Sequence, residues 1–186
     1  MAKVPKGGSG VKLRGTTGLL DNVTAKIGDV SFGTDSRYQG GKQLCAIVEL
    51  VNPETGDELE NGTLLLSVGN GWEDSDKGKS MVRADGSEPQ GINDQTMFQH
   101  FINKALDTEA ADVIEERFNS GIMPYHAGLL EGLVFRMERE TYTPMQWDDS
   151  KGEKPTRLVP VEYVGEGGGK AKAGKKDKKK GPATDD

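Results

Sequence analysis

The chain has 186 residues, of which 33% are hydrophobic, with 24 basic and 30 acidic side chains and a net charge of −6. This length fits one domain with tails, and no apolar run approaches the length that spans a bilayer. Lys3 and Lys6 are not followed by an apolar leader, and the single Cys45 excludes an intrachain disulfide, so we expect a cytoplasmic protein without a membrane association.

The charge is unevenly distributed along the chain. Residues 1–14 carry four cations and no acid, residues 166–186 carry a net charge of +3, and residues 15–165 carry −13. Both ends hold almost no large apolar side chains, which predicts a flexible basic N-terminal arm at 1–14 and a disordered Lys-rich tail at 166–186 around a domain at 15–165. An acidic body argues against a protein that coats duplex DNA, because such a protein usually presents a basic face.

The first part of the body predicts three strands. Apolar and polar side chains alternate in residues 19–33, and the alternation changes phase after Gly28, which indicates a bulge in a long first strand. A nearly continuous apolar run at 43–51 predicts a central strand covered on both faces. After a turn signal at 52–57, residues 59–68 predict a third strand.

The middle of the chain predicts a helical insertion near 93–120. Its first helix begins behind a cap at Asn93 or Asp94 and presents one apolar stripe, and its second helix begins behind Thr108. A short strand is predicted before them, at 81–83. The apolar stripe fits either the chain's own sheet or a second copy, which leaves a homo-oligomer open.

Two further strands are predicted at 129–142 and 157–164, where Pro160 indicates a sheet edge or a strand end. Three strands, a helical insertion and two strands is the element order of the five-stranded OB barrel, whose open face and loops bind oligonucleotides or oligosaccharides. We therefore predict an α+β, mainly β fold: an OB-like barrel with a helical insertion between strands three and four and a disordered basic tail.

The loops after the first and fourth strands flank the binding face of an OB barrel. Here these loops are residues 33–42 and 141–156, and both contain aromatic and basic side chains. Unpaired bases stack on aromatic rings and phosphates attract Lys and Arg. The predicted nucleic-acid-binding residues are Arg37, Tyr38, Lys42, Trp72, Arg136, Arg139, Tyr142, Trp147, Lys151, Lys154 and Arg157. The alternative is that Tyr142 and Trp147 only plug one end of the barrel.

No motif in the chain assembles a catalytic or metal site. One cysteine and two separated histidines, His100 and His126, give no zinc-ligand spacing, and the glycines at 167–169 have the character of a linker. We therefore expect no enzyme and no cofactor. The remaining enzymatic alternative is a magnesium-dependent nuclease that would use Asp74, Asp76, Asp148 or Asp149.

Two short segments carry a resemblance to known proteins. The sequences VSFGTDSRY at 30–38 and SVGNGW at 67–72 look like those of small phage proteins encoded near replication and recombination genes, and an OB-like core with a charged C-terminal tail resembles single-stranded DNA-binding proteins. The resemblance implies strand protection in the host cytoplasm, with replication or recombination proteins as partners of the tail. The bacterial type ends in an acidic tip closed by an apolar residue. Here Asp185 and Asp186 lack that closing residue, which puts the recruiting role in doubt.

Two hypotheses from different classes follow from the sequence. The first is a non-enzymatic protein that binds single-stranded DNA without sequence preference, with the lysines of 170–180 either adding salt-sensitive phosphate affinity or keeping the protein soluble. The second is a structural or assembly protein, such as a virion component or an adaptor, without nucleic-acid affinity. The charge of −13 on the body and the glycine-rich segment 69–91 fit the second at least as well as the first, and strand binding is the preferred hypothesis.

Overall fold

The computed structural model describes residues 19–144 and 147–167, so the predicted N-terminal arm and nearly all of the Lys-rich tail lie outside the described residues. Five antiparallel strands form the main sheet in the order β3-β2-β1-β6-β7, and β4 and β5 form a separate hairpin. In chain order the elements are β1 (Val23–Gly33), β2 (Cys45–Val51), β3 (Glu58–Ser67), β4 (Trp72–Ser75), β5 (Ser80–Arg83), α1 (Met97–Leu106), α2 (Ala111–Asn119), β6 (Leu133–Thr141) and β7 (Thr156–Glu166).

The long first strand has the bulge that its glycine predicts. Pairing between β1 and β2 shifts register between Ile27 and Asp29, on either side of Gly28. A methyl group at Gly28 would lie 2.9 Å from Cγ1 of Val51, so the bulge also needs a residue without a side chain. The phase change lets β1 keep its apolar side chains inside on both sides of the bulge, and Ala25, Ile27, Val30 and Phe32 are all buried.

The main sheet is not closed into a barrel, which corrects the predicted architecture. β3 and β7 are the two outer strands of the described sheet, and α1 packs against both of them instead of allowing them to pair. The physical reason is the apolar stripe of α1, which fills the space between the two edges. The mainly β, α+β class is confirmed, and so is the helical insertion between the third and fourth strands of the main sheet.

The stripe of α1 is buried within the chain itself. Phe98, Phe101, Ile102 and Ala105 are all buried, and the Phe32 ring meets the Phe98 ring edge-on at 5.6 Å. These contacts show that the stripe packs on the chain's own sheet. A second copy therefore has no access to it in this fold.

The helix begins later than its sequence predicts. Thr96 is the cap, and its hydroxyl oxygen accepts from the backbone N–H of Gln99 at 3.3 Å. The predicted cap Asn93 instead closes a turn one step earlier, because its Oδ1 accepts from the backbone N–H of Gln95 at 2.7 Å. Met97 is thereby placed at the first turn of α1, facing the end of β3.

The hairpin β4–β5 contains one strand that was predicted and one that was not. The short strand expected at 81–83 is β5, and it pairs with β4 from Trp72↔Arg83 to Ser75↔Ser80.

Pro160 lies on the outer strand β7, as an edge proline should. In the part of the chain that the structure describes, no helix combines the length and the apolar character needed to cross a membrane.

Candidate nucleic-acid interface

The two predicted binding loops leave the sheet at opposite ends of β1. Gly33, the last residue of β1, pairs with Cys45, so the β1–β2 loop lies at the C-terminal end of β1. β6 is antiparallel to β1 and pairs Met137 with Val23, so the chain that leaves β6 lies beyond the N-terminal end of β1. A bound strand would therefore have to run across the sheet to touch both loops.

The β1–β2 loop is folded around an Asp35–Arg37 pair. The Arg37 side chain donates to both carboxylate oxygens of Asp35, at 2.9 and 2.7 Å, and its backbone N–H donates to Oδ1 at 2.9 Å. These hydrogen bonds lower the pKa of Asp35 to about 2. The Arg37 side chain is 63% exposed, so it faces solvent while its charge is matched by a neighbour. Lys42, at the end of the same loop, is exposed.

Tyr38 lies half-buried where the β1–β2 loop meets the end of β3. Burial raises the pKa of Tyr38, and the neighbouring Ser67 side chain offsets part of that rise. Burial likewise raises the pKa of the Cys45 thiol, to about 11. The hydroxyl end of Tyr38 therefore lies beside the end of β3, and the raised pKa keeps its phenol protonated near neutral pH.

The β6–β7 loop places an aromatic ring against a guanidinium. Arg157, near the start of β7, lies over the ring of Tyr142 with Cζ 4.6 Å from the ring centroid. Arg157 also donates from Nε to Glu140 at 2.8 Å, on the opposite strand. His100 of α1 contacts the same carboxylate oxygen at 2.8 Å. Burial alone would raise the pKa of Glu140, but the hydrogen bonds from His100 and Arg157 outweigh it and lower that pKa.

The rest of the β6–β7 loop holds the second predicted stacking residue. Trp147 is half-buried and donates from Nε1 to Oδ1 of Asp149 at 3.1 Å. Lys154 is exposed. The side chain of Lys151 lies outside the described residues. Trp147 is held by its own loop and keeps part of its ring exposed.

The two arginines of β6 have different environments. Arg136 is ion-paired with Glu138 and, at 3.0 Å, with Glu162, and its side chain is 36% exposed. Arg139 is half-buried, and its burial lowers its pKa. Its guanidinium donates to Thr156 Oγ1 at 2.8 Å, to the Leu20 carbonyl at 2.9 Å and to the Thr156 carbonyl at 3.3 Å. Arg139 thus fastens the chain before β1 to the start of β7.

Trp72 is only 8% exposed. The guanidinium of Arg83 lies over its ring at 4.7 Å, and the ring of Tyr125 lies 5.8 Å away at an angle of 32°. A base could stack on Trp72 only after one of these neighbours moved. Arg83, which the sequence did not single out, is the side chain that a ligand would meet first.

A chain of contacts joins the two loops across the open side of the sheet. Tyr38 neighbours Ser67. The Ser67 hydroxyl oxygen accepts from the backbone N–H of Met97 at 2.8 Å, and Met97 Sδ accepts from Arg157 at 3.4 Å. Arg157 then covers Tyr142. The start of α1 therefore bridges the edges of β3 and β7, where the predicted barrel would have closed. Sequence reasoning missed Ser67 and Met97 because neither residue type signals binding.

The described residues form no metal site, and no similar protein was found from which a function could be assigned. Among the residues that the structure describes, no group of three or more His, Cys, Asp and Glu side chains is arranged to hold a metal ion. Comparison with known protein families, with curated proteins and with solved structures returned no match to this chain. The assignment therefore depends on the geometry and chemistry of the residues described above.

Proposed function

We propose that the protein is a single-stranded DNA-binding protein with an OB-type core, acting in replication or recombination. Topology supports the proposal. A Greek key has three strands connected by hairpins and a fourth strand that returns by a long connection to lie beside the first. In the main sheet β6 is that fourth strand, since it pairs with β1 on the side opposite β2. The OB fold is a five-stranded, partly open Greek-key barrel.

The contact chain from Tyr38 to Tyr142 is the observation that carries the proposal. It sets two aromatic rings and one guanidinium along a single open side of the sheet, with Trp147 on the same loop as Tyr142. Base stacking on aromatic side chains tolerates any sequence, because every base has a π-face, and nearby arginines add phosphate attraction. A flexible single strand laid along this side would meet both rings and the Arg157 guanidinium.

The charge of the body decides how strong such binding can be. Residues 15–165 carry −13, and the exposed Arg37 already has a carboxylate partner. At long range the body therefore repels DNA, which is also negatively charged. The cations of 1–14 and the lysines of 170–180, outside the described residues, would supply counterion release. We accordingly expect affinity that falls steeply with salt, since log K falls with log salt in proportion to the phosphates neutralised.

The test is fluorescence anisotropy of a labelled single-stranded oligonucleotide with the full chain, at low and high salt, with duplex as the control ligand. We expect binding of single strand alone, weakened by salt. Trp147→Ala should weaken binding about 5- to 150-fold on every sequence, the range for loss of one stacked base. Phe118→Ala is the matched control, because Phe118 is a 47% exposed aromatic on α2. Unchanged affinity in Trp147→Ala would remove that residue from the interface.

The second candidate is an assembly protein without nucleic-acid affinity. The observation that favours it is that basic side chains are already paired with acids of the same chain. Examples are Lys79 with Asp29 and Glu131, and Arg117 with Glu166. It predicts no binding of single strand even at low salt. It also predicts a defined oligomer in light scattering whose mass is insensitive to added DNA.

A further inference from the structure

A polar cleft lies beside Tyr38, at the end of the contact chain described above. It has a volume of about 690 Å³, and its walls come from the end of β3, from the hairpin β4–β5 and from the segment that precedes α1. Ser67, which neighbours Tyr38, lines the cleft. The cleft is thus continuous with the proposed strand-binding side of the sheet.

The cleft is lined by carboxamide side chains rather than by charges. Arg83 is the only charged residue among the lining residues, although the body of the chain is strongly acidic. Five carboxamides line it, from Gln43, Asn70, Gln90, Asn93 and Gln95. Each carboxamide carries two N–H donors and an acceptor oxygen. The lining therefore offers many neutral donors and acceptors and one cation.

Internal contacts hold parts of this lining in place. The Nε2 of Gln43 donates to Oδ1 of Asn70 at 2.9 Å, which sets two carboxamides side by side. The guanidinium of Arg83 lies over Trp72, with Cζ 4.7 Å from the ring centroid. The backbone at Gly71 leaves room for it, since a methyl group there would lie 2.5 Å from an Arg83 nitrogen. A planar cation supported from below can present its other face to a planar ligand.

The chemistry of the lining fits the edge of an unpaired nucleobase. Bases in single strands are read through hydrogen bonds on their edges, which carry adjacent donors and acceptors, and by stacking on aromatic or guanidinium planes. Asn and Gln are the side chains that form paired hydrogen bonds with adenine. The volume lies within the range of small-ligand sites, about 300–1,000 Å³, and is large enough for one nucleotide.

We propose that this cleft holds one base of the bound strand and selects it through its carboxamides, so that affinity depends on the base at that position. The inference rests on the proposed function, because the base reaches the cleft as part of a strand that passes Tyr38. It departs from uniform, sequence-independent binding, which stacking alone would give.

The test compares the affinities of the full chain for oligo-dA, oligo-dC and oligo-dT of equal length, at one low salt concentration. We expect the strongest and weakest homopolymers to differ at least about fivefold, the lower end of what one paired hydrogen-bonding contact supplies. Gln43→Ala/Asn70→Ala should remove most of that difference while binding itself persists. Gln95→Ala, an exposed single change, is a second cleft variant that checks the result independently of the Gln43–Asn70 pair.

The chain offers a matched control for the double variant. On α1, Nε2 of Gln99 donates to Oδ1 of Asn103, also at 2.9 Å, and neither residue lines the cleft. Gln99→Ala/Asn103→Ala should keep the full difference between homopolymers. Equal affinities for the three homopolymers in the wild type, or a difference that survives in both cleft variants, would overturn the cleft inference while leaving strand binding intact. Absence of binding to every homopolymer would overturn both proposals.

Discussion

The substitution Arg139→Met tests whether Arg139 stabilises the fold or binds phosphate. The substitution keeps an apolar stem but removes three hydrogen bonds to neutral acceptors on the chain before β1 and at the start of β7. A hydrogen bond that involves a charged group contributes about 1.5–3 kcal/mol, and an acceptor left unsatisfied costs about 1–3 kcal/mol. Relief of the buried charge returns part of this total.

We therefore expect Arg139→Met to lower the free energy of unfolding by about 2–4 kcal/mol. For a chain of this size that is a fall in melting temperature of roughly 5–15 °C. The assay is thermal unfolding followed by circular dichroism. Arg136→Met is the control, since it makes the same substitution on the same strand at an exposed, ion-paired side chain, and surface ion pairs contribute little.

The second half of the test measures how tightly Arg139→Met binds single-stranded DNA at several salt concentrations. An arginine that pairs with phosphate should, when replaced, weaken binding on all sequences and lower the salt slope by about one. A melting temperature of Arg139→Met within roughly 2 °C of the wild type, together with a reduced salt slope, would refute the structural reasoning and return Arg139 to the interface.

Three further predictions concern single residues. The histidine and arginine partners of Glu140 lower its pKa despite burial, so its ionised form stabilises the fold above the unfolded pKa, and this contribution is lost as the pH falls through the folded pKa. Urea unfolding between about pH 6 and about pH 3 should therefore show a smaller loss of stability in Glu140→Gln than in the wild type. An equal loss in both proteins would contradict the reasoning. With a pKa of about 11, Cys45 should react with a thiol reagent at about pH 8 only after denaturation, and rapid labelling of the folded chain would count against its burial. Gly62→Ala would place a methyl group 2.8 and 2.9 Å from two backbone carbonyl oxygens, and thermal melting should show a free energy of unfolding lower by about 1–3 kcal/mol. Gly33→Ala is the control, because its methyl group would have nothing within 4 Å, and it should melt like the wild type.

Sequence reasoning succeeded where one local signal had one structural cause. The phase change at Gly28 predicted the bulge, and the stripe on α1 predicted its buried face. The strand β4 was missed because its four residues are mostly polar and acquire strand geometry only through pairing with β5. The cap of α1 was misplaced because Asn93 and Thr96 both fit the role, and the turn before the helix decides between them.

The candidate site was less predictable, because its contacts cross between elements. Glu140 meets Arg157 through the register of β6 with β7, and Arg157 meets Met97 only after α1 has packed against β7. No spacing along the chain encodes either contact. Arg139 was assigned to phosphate because its residue type and its strand suggested it, and only its hydrogen bonds to Leu20 and Thr156 show what it binds within the fold.

The pairing of β1 has a consequence for the order in which the chain folds. Phe32 pairs with Ala46, 14 residues later, whereas Val23 pairs with Met137, 114 residues later. Closing a long loop loses more chain entropy, and contacts distant in sequence slow folding. The β1–β3 meander can therefore assemble early, while the side of β1 that receives β6 stays open. During synthesis the edge of β1 from Val23 to Lys26 stays unpaired until the ribosome has released β6, so the nascent protein presents an open strand edge for most of its translation.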